Sequence, residues 1–236
     1  MIRRMRQYIN LTLAFLKWPS AVFMVLCVPA VWRAFERYYA IRHQLHWQNL
    51  AYFGIGIAFF LFARLVFMAR RGCAETMEHE MTHTLFALAT LHPVHGMTVN
   101  DGGGGSMSFS GGGNWLIALA PYFFPLAAFA MLVLCLFARA AMGYMPEWTY
   151  IGLGCAVGYN LLSLVQQVHP EQTDFKVAGY LFTICFLPGA NMLSYGTIFS
   201  FAERGGRGVL FFYRLVFYYM EHDFLRIWAK AAALFS

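Results

Sequence analysis

The chain has 236 residues, of which 60% are hydrophobic and 12% are charged, and its formal net charge is +6. Soluble domains carry about 25% charged residues, so the composition excludes an ordinary soluble domain and indicates an integral membrane protein. The basic residues flank apolar runs and do not alternate with stacking aromatics, which argues against nucleic-acid binding and favours contact with a lipid bilayer.

The apolar runs predict an all-α polytopic membrane protein with about five to six membrane helices. The clear spans are expected at about residues 8–32, 49–69, 114–138, 148–168 and 175–201. Pro121 and Pro125 predict a bent entry into the third of these spans. The first run is not followed by a small-x-small cleavage site, so we expect an anchor and not a removed signal peptide.

Residues 93–113 interrupt the helical pattern and predict a small β-hairpin. The stretches "VHGMTV" and "SMSFS" both alternate in character, and the "NDGGGG" between them is a strong turn signal. The five cysteines are scattered and form no CxxC pair, which argues against a disulfide framework or a cysteine zinc cluster.

The segment "EHEMTHTLFA", residues 78–87, lies on a helix predicted at 73–91 and contains the pattern H-E-x-x-H. Residues four apart share a helix face, so His79 and His83 can bind one metal ion. Glu80 is turned away from direct ligation, and it can hold a water molecule and accept its proton. A surface helix with two incidental histidines is the alternative interpretation.

A catalytic zinc site needs a third protein ligand. The candidates in this chain are His92, His95, His169, Glu171 and Asp174. The polar break "HPEQTD" at 169–174 is the favoured source, because it lies between two apolar spans. Asp174 opens the next predicted helix there, and an ordinary carboxylate at a helix N-terminus also explains it.

With these features the chain resembles the site-2 protease family of intramembrane zinc metalloproteases. The resemblance covers about residues 73–200 and depends mainly on "HEMTHTLFA" in a helix that enters the membrane. The hairpin with its glycines, the apolar span "NWLIALAPYFFPLAAFAMLVL", and an asparagine followed by an aspartate downstream also contribute.

This resemblance implies a zinc metalloendopeptidase that cleaves membrane-embedded protein substrates. It implies that His79, His83 and Asp174 are the zinc ligands and that Glu80 is the general base. It also implies that Asn160 positions the substrate or polarises its carbonyl, although an amide that packs between helices is an alternative. The hairpin would offer an edge strand to an extended peptide, or would form a gate or a surface loop.

We expect one compact domain in three sections. These are membrane helices at 1–72, a metalloprotease-like core at 73–201 and an amphipathic tail at 202–236. A bacterial inner membrane is the expected location, and the expected partners are a transmembrane protein substrate and the bilayer, without nucleic acid. The alternative function is a non-catalytic membrane scaffold subunit that retains a protease-like fold and binds partner subunits through its aromatic tail.

Overall fold

The computed structural model describes residues 1–67, 73–100, 104–169 and 171–234. The helices are α1 (Ile2–Ala40), α2 (Trp47–Val66), α3 (Cys73–Ala89), α4 (Trp115–Leu119), α5 (Leu126–Met142), α6 (Glu147–Gln167), α7 (Thr173–Ala178) and α8 (Tyr180–Leu234). Strands β1 (Val94–Val99) and β2 (Gly105–Phe109) pair antiparallel and form a two-stranded sheet.

The expected mainly helical fold with a small hairpin after α3 is confirmed. By length and composition, α1, α2, α6 and α8 could each cross a membrane, and α4 with α5 could form a fifth, bent span. The described residues therefore hold four or five candidate spans, against the five to six expected. Long apolar helices of this kind are compatible with a membrane protein.

Close contact between α2 and α6 depends on glycine. A Cβ atom on Gly154 would lie 2.0 Å from the carbonyl oxygen of Phe53, and one on Gly56 would lie 2.0 Å from that of Ile151. Neither position has room for a side chain, because each faces the backbone of the other helix. Small residues at such contacts let two apolar helices pack backbone against backbone.

Alanine at Gly154 is expected to lower the stability of the protein, because the added methyl group must push α2 and α6 apart. Overpacking of this kind costs about 1–3 kcal/mol. The matched control is Gly54→Ala on α2, where a Cβ atom would meet nothing within 4 Å. Thermal unfolding in detergent should show a lower midpoint for Gly154→Ala and an unchanged or higher one for Gly54→Ala. Equal midpoints would contradict the tight contact.

The long helix α8 packs along α1 and bends where its backbone is non-helical, at Arg204 and Gly205. The boundary expected between the core and the tail, at 201/202, falls inside this helix. Phe212 and Val216 of its second part are buried against α1, in one cluster with Val31 and Tyr38. The segment expected as an amphipathic tail is thus helical, and its first turns belong to the core.

The bent entry expected at Pro121 and Pro125 is confirmed. The short α4 is followed by a 3-10 turn at Ala120–Tyr122, and α4 with this turn lies at 76° to α5. Helix α3 contacts both strands, α4 and this turn. The bend therefore places α4 and the hairpin around the helix that carries the H-E-x-x-H pattern.

The span expected at 175–201 is divided in two by Gly179. Its φ of +88° lies in the left-handed region, and it ends α7 before α8 begins at Tyr180. Asp174 is therefore in the first turn of the short α7 and not at the start of a membrane span. The separate α7 packs against α4.

Candidate metal centre

Three side chains from two distant segments converge beside α3. The Nε2 atoms of His79 and His83 lie 3.1 Å apart, as expected for residues four apart on one helix face. Oδ2 of Asp174 lies 3.5 Å from Nε2 of His79 and 3.6 Å from Nε2 of His83. Among the residues that the structure describes, these three form a group that could hold a metal ion.

The ring of His83 is oriented by a backbone carbonyl. Its Nδ1 lies 2.8 Å from the carbonyl oxygen of Ile117, which can only accept a hydrogen bond, so Nδ1 carries the proton. In a continuing helix this oxygen would accept from the residue four positions later, but that residue is Pro121, which has no N–H. The proline that bends the chain therefore also frees an acceptor for His83.

The ring of His79 is oriented by an amide. Its Nδ1 lies 2.7 Å from Oε1 of Gln167 on α6. The amide nitrogen of Gln167 donates to the carbonyl oxygen of Glu75 at 3.4 Å, and because this oxygen can only accept, the contact fixes which end of the amide faces His79. Nδ1 of His79 is then the donor as well. Metal-binding histidines commonly donate their second ring N–H to such an oxygen.

Both Nε2 atoms therefore present lone pairs to each other and to the Asp174 carboxylate. Three acceptors at this separation repel one another unless a cation lies between them. Two ligands of a tetrahedral zinc ion, each about 2.0–2.2 Å from it, lie about 3.3 Å from each other. The observed separations of 3.1, 3.5 and 3.6 Å agree with this value, so the three residues fit a zinc ion.

Asp174 is held in place by Tyr122 of the 3-10 turn, which is completely buried. The Tyr122 hydroxyl donates to Oδ2 of Asp174 at 2.9 Å. Burial opposes ionisation of Asp174, but the nearby His79 and His83 and the hydrogen bond from Tyr122 outweigh it and hold the pKa of the carboxyl well below its ordinary value. The carboxylate is therefore charged and ready to bind a cation.

Glu80 lies next to this group, on a helix that is not among the candidate membrane spans. It is 7% exposed, and burial raises the pKa of its carboxyl above the ordinary value, against the opposing effect of His83 and His79. A cleft of about 330 Å³ is lined by Glu80, both histidines, Asp174 and strand β2. Glu80 thus faces the same space as the three candidate ligands.

The other histidines considered as third ligands do not join this group. His92 is buried, and its Nε2 lies 3.0 Å from the carbonyl oxygen of Gly112, so it ties the end of α3 to the loop after β2. His95 and His169 are exposed, as is Glu171. Of the five candidates, Asp174 is the residue that the fold brings to the motif histidines.

Asn160 has a different environment from the one that a catalytic role implies. Its Oδ1 accepts from the backbone N–H of Ala128 at 3.0 Å, and its Nδ2 donates to Oε1 of Glu78 at 2.7 Å. Glu78 also accepts from the N–H of Ala127 at 2.8 Å. Both side chains therefore satisfy the N-terminus of α5. A catalytic role for Asn160 stays a prediction that these contacts do not support.

Several residues around the site were not predicted. Gln167, Tyr122 and the carbonyl of Ile117 orient the candidate ligands, and Glu78 caps α5. A polar residue inside an otherwise apolar run, such as Gln167, was the available sequence signal. Tyr122 gave no such signal, because an aromatic residue is common in an apolar segment.

Replacement of Gln167 by leucine is expected to weaken zinc binding by about 10–100-fold, because Nδ1 of His79 loses the acceptor that orients its ring. Competition with a chromogenic zinc chelator measures this affinity. The matched control is Gln166→Leu, the neighbouring glutamine, whose affinity should equal that of the wild type. An unchanged affinity in Gln167→Leu would show that His79 is not oriented through this amide.

Comparison of the chain with protein-family models, with curated proteins and with solved structures gave no match.

Proposed function

We propose that the protein is an intramembrane zinc metalloendopeptidase that hydrolyses peptide bonds of membrane-embedded protein substrates. The observation that carries this proposal is the convergence of two Nε2 atoms and one carboxylate oxygen within 3.6 Å, with Glu80 beside them in an open cleft. A partly buried group of this composition is costly unless it binds a cation, and the adjacent carboxylate is the additional part that hydrolysis needs.

His79, His83 and Asp174 would hold the zinc ion, which supplies a Lewis acid that polarises the substrate carbonyl and lowers the pKa of water to about 7. Glu80 accepts a proton from the attacking water and passes it to the nitrogen of the departing amine. Gln167 and Ile117 keep both Nδ1 protons away from the cleft, and Tyr122 keeps the Asp174 carboxylate in place.

The outer edge of β2, which pairs with no other strand among the described residues, supports a peptide as the substrate. Strand β2 pairs with β1 along one edge, and Gly105, Ser106 and Met107 of β2 line the cleft beside Glu80. An extended peptide can add to such an edge through main-chain hydrogen bonds. Extension also exposes the scissile carbonyl, which a helical substrate shields.

The apolar helices support a bilayer as the surroundings of the protein, and we propose the bacterial inner membrane as its location. Large side chains on α1 and α2 are exposed, among them Phe15, Trp18, Phe59 and Phe62. Exposed apolar surface on this scale is stable when acyl chains cover it.

A non-catalytic membrane subunit is the second candidate function. The observation in its favour is the exposed apolar surface at the end of α8, where Phe224, Leu225 and Trp228 are each more than half exposed. This surface suits a partner helix, and it is compatible with a protease that works within a larger assembly. Comparison of peptide hydrolysis by wild type and Glu80→Gln separates the two functions.

A further inference from the structure

The loop between β2 and α4, residues 110–114, is held by the first turns of α1. The guanidinium of Arg6 donates to the carbonyl oxygen of Ser110 at 2.9 Å, and Nδ2 of Asn10 donates to that of Gly112 at 3.0 Å. Arg6 and Asn10 are four residues apart and therefore lie on one face of α1. These contacts join the beginning of the chain to the segment that leads into α4.

Asn10 also accepts a hydrogen bond from Asn114, the residue that caps α4. Oδ1 of Asn114 accepts from the backbone N–H of Ile117 at 3.0 Å, and Nδ2 of Asn114 donates to Oδ1 of Asn10 at 3.0 Å. Backbone groups fix the orientation of both amides, because the N–H of Ile117 can only donate and the carbonyl oxygen of Gly112 can only accept. The two side chains therefore form one directed connection from α1 to α4.

Ile117 connects this pair of asparagines to the proposed metal centre. Its N–H is held by Asn114, and its carbonyl oxygen accepts the Nδ1 proton of His83. Asn114, Ile117 and His83 are only 9%, 3% and 8% exposed, so water does not readily replace these hydrogen bonds. Three consecutive hydrogen bonds thus lead from Asn10 to a candidate zinc ligand, and a shift of Asn114 would move the acceptor that orients His83.

Other contacts keep α4 and the loop beside α1. The indole Nε1 of Trp115 donates to the carbonyl oxygen of Leu13 at 2.7 Å. Nε2 of His92 lies 3.0 Å from the carbonyl oxygen of Gly112 and 3.3 Å from Nδ2 of Asn10. Loss of the Asn10 amide should therefore leave the fold intact.

We propose that Asn10 is a positioning residue of the zinc site, which acts through Asn114 and Ile117 on the ring of His83. The inference rests on the zinc site of the proposed function. It extends that site to α1, a helix outside residues 73–200, to which the resemblance to the protease family is confined.

Asn10→Leu removes both ends of the amide, so the affinity for zinc should fall about three- to tenfold, roughly the value of one hydrogen bond. Competition with a chromogenic zinc chelator measures this affinity on the full chain in detergent, and the unfolding temperature is measured on the same samples. Asn114→Ser breaks the same connection from the other side, because serine can still cap α4 but has no amide nitrogen to donate to Asn10. It should lower the affinity by a similar factor, and it decides the test if Asn10→Leu does not fold.

The double variant distinguishes one connection from two independent effects. Because both substitutions break the same chain of hydrogen bonds, the double variant should bind zinc about as weakly as the weaker single variant. The matched control is Asn49→Leu on α2. Asn49 is partly buried, as Asn10 is, and donates to the carbonyl oxygen of Glu203 on α8 at 3.2 Å. The control loses a hydrogen bond between helices, so its stability should fall while its zinc affinity stays that of the wild type.

Unchanged zinc affinity in either Asn10→Leu or Asn114→Ser, measured on folded protein, would overturn the inference, as would an equal fall in Asn49→Leu. Multiplied effects in the double variant would also overturn it, because Asn10 would then act on the site by another route. In each of these cases, zinc binding by the wild type leaves the proposed function standing. The expected pattern in a protein that hydrolyses no peptide would keep the inference and contradict the proposed function, whereas absence of zinc from the wild type would overturn both.

Discussion

Detergent-purified wild-type protein is expected to contain about one zinc ion per chain, and His79→Ala and Asp174→Ala are each expected to abolish this content. Each substitution removes one of three ligands and leaves two donors, too few for a stable protein zinc site. Mass spectrometry of the metal, normalised to protein concentration, measures the effect. Loss in both variants would establish the site and its third ligand together.

The matched control for this experiment is His169→Ala. His169 is exposed and lies near the site, where its Nε2 is 2.9 Å from the amide nitrogen of Gln172. It was also a candidate third ligand on sequence grounds. Unchanged zinc content in this variant would show that loss of a nearby imidazole is not sufficient to release the metal.

Folding has to be followed in the same samples, because Asp174→Ala leaves the buried Tyr122 hydroxyl without this acceptor. Loss of a hydrogen bond to a charged acceptor costs about 1.5–3 kcal/mol, so a modest fall in the unfolding temperature is expected. Asp174→Asn keeps an oxygen acceptor for Tyr122 while removing the charge. Asp174→Asn should therefore fold like the wild type, but its affinity for zinc should be lower than that of the wild type.

Two other outcomes have definite meanings. Loss of zinc in His79→Ala but not in Asp174→Ala would keep the site and move the third ligand to another residue. Absence of zinc from well-folded wild type, even after zinc is supplied, would contradict the proposed function. The protein would then be better described as the non-catalytic membrane subunit, and His79 and His83 would have a structural role.

The local parts of this site could be predicted from the sequence. The four-residue spacing of His79 and His83 specifies one helix face without further information. Alternation and glycines specified the hairpin, and Pro121 and Pro125 specified the bend before α5. Each of these features follows from the chemistry of neighbouring residues, so no knowledge of the tertiary fold was needed.

The long-range parts could be predicted less well. Asp174 and Tyr122 meet where α7 packs against α4, and α7 is separate from α8 because the helix ends at Gly179 inside an apolar run. The hydrogen bond between Gln167 and His79 depends on how α6 packs beside α3. The pairing of Glu78 with Asn160 depends on the same packing. Sequence periodicity carries no information about which faces of separate helices meet.

Arg64 illustrates the same limit. For a basic residue near the end of an apolar helix, the usual expectation is a side chain that reaches the aqueous surface. In the structure its guanidinium lies 3.0 Å from the carboxylate of Glu75, and the two side chains are only 17% and 8% exposed. The partner is on α3, and its position depends on tertiary packing.

Glu80→Gln is expected to lower the rate of peptide hydrolysis by about 10²–10⁴-fold while the zinc content stays near that of the wild type. The amide has nearly the shape of the carboxylate but cannot accept the proton of the attacking water. Zinc is retained because Glu80 is not one of the three converging ligands. The measurement is the initial rate of hydrolysis of a membrane-protein substrate, with metal content determined on the same samples.

Glu78→Gln is the matched control, since it makes the same chemical change two residues away on α3. A glutamine keeps one oxygen, which can still accept from the N–H of Ala127 or from Asn160. Glu78 does not line the cleft that contains Asp174, so this variant should keep activity within about tenfold of the wild type, roughly the cost of one weakened hydrogen bond.

The pair of variants separates three explanations of any loss of activity. Loss in Glu80→Gln alone, with zinc retained, identifies Glu80 as the general base. Loss in both variants together with a lower unfolding temperature would indicate damage to the packing of α3. Undiminished hydrolysis in Glu80→Gln would contradict the proposed mechanism. Among the described residues that line the cleft, Asp174 is the one carboxylate that would remain. Since Asp174 is already engaged by both histidines and Tyr122, it cannot take over the transfer of the proton.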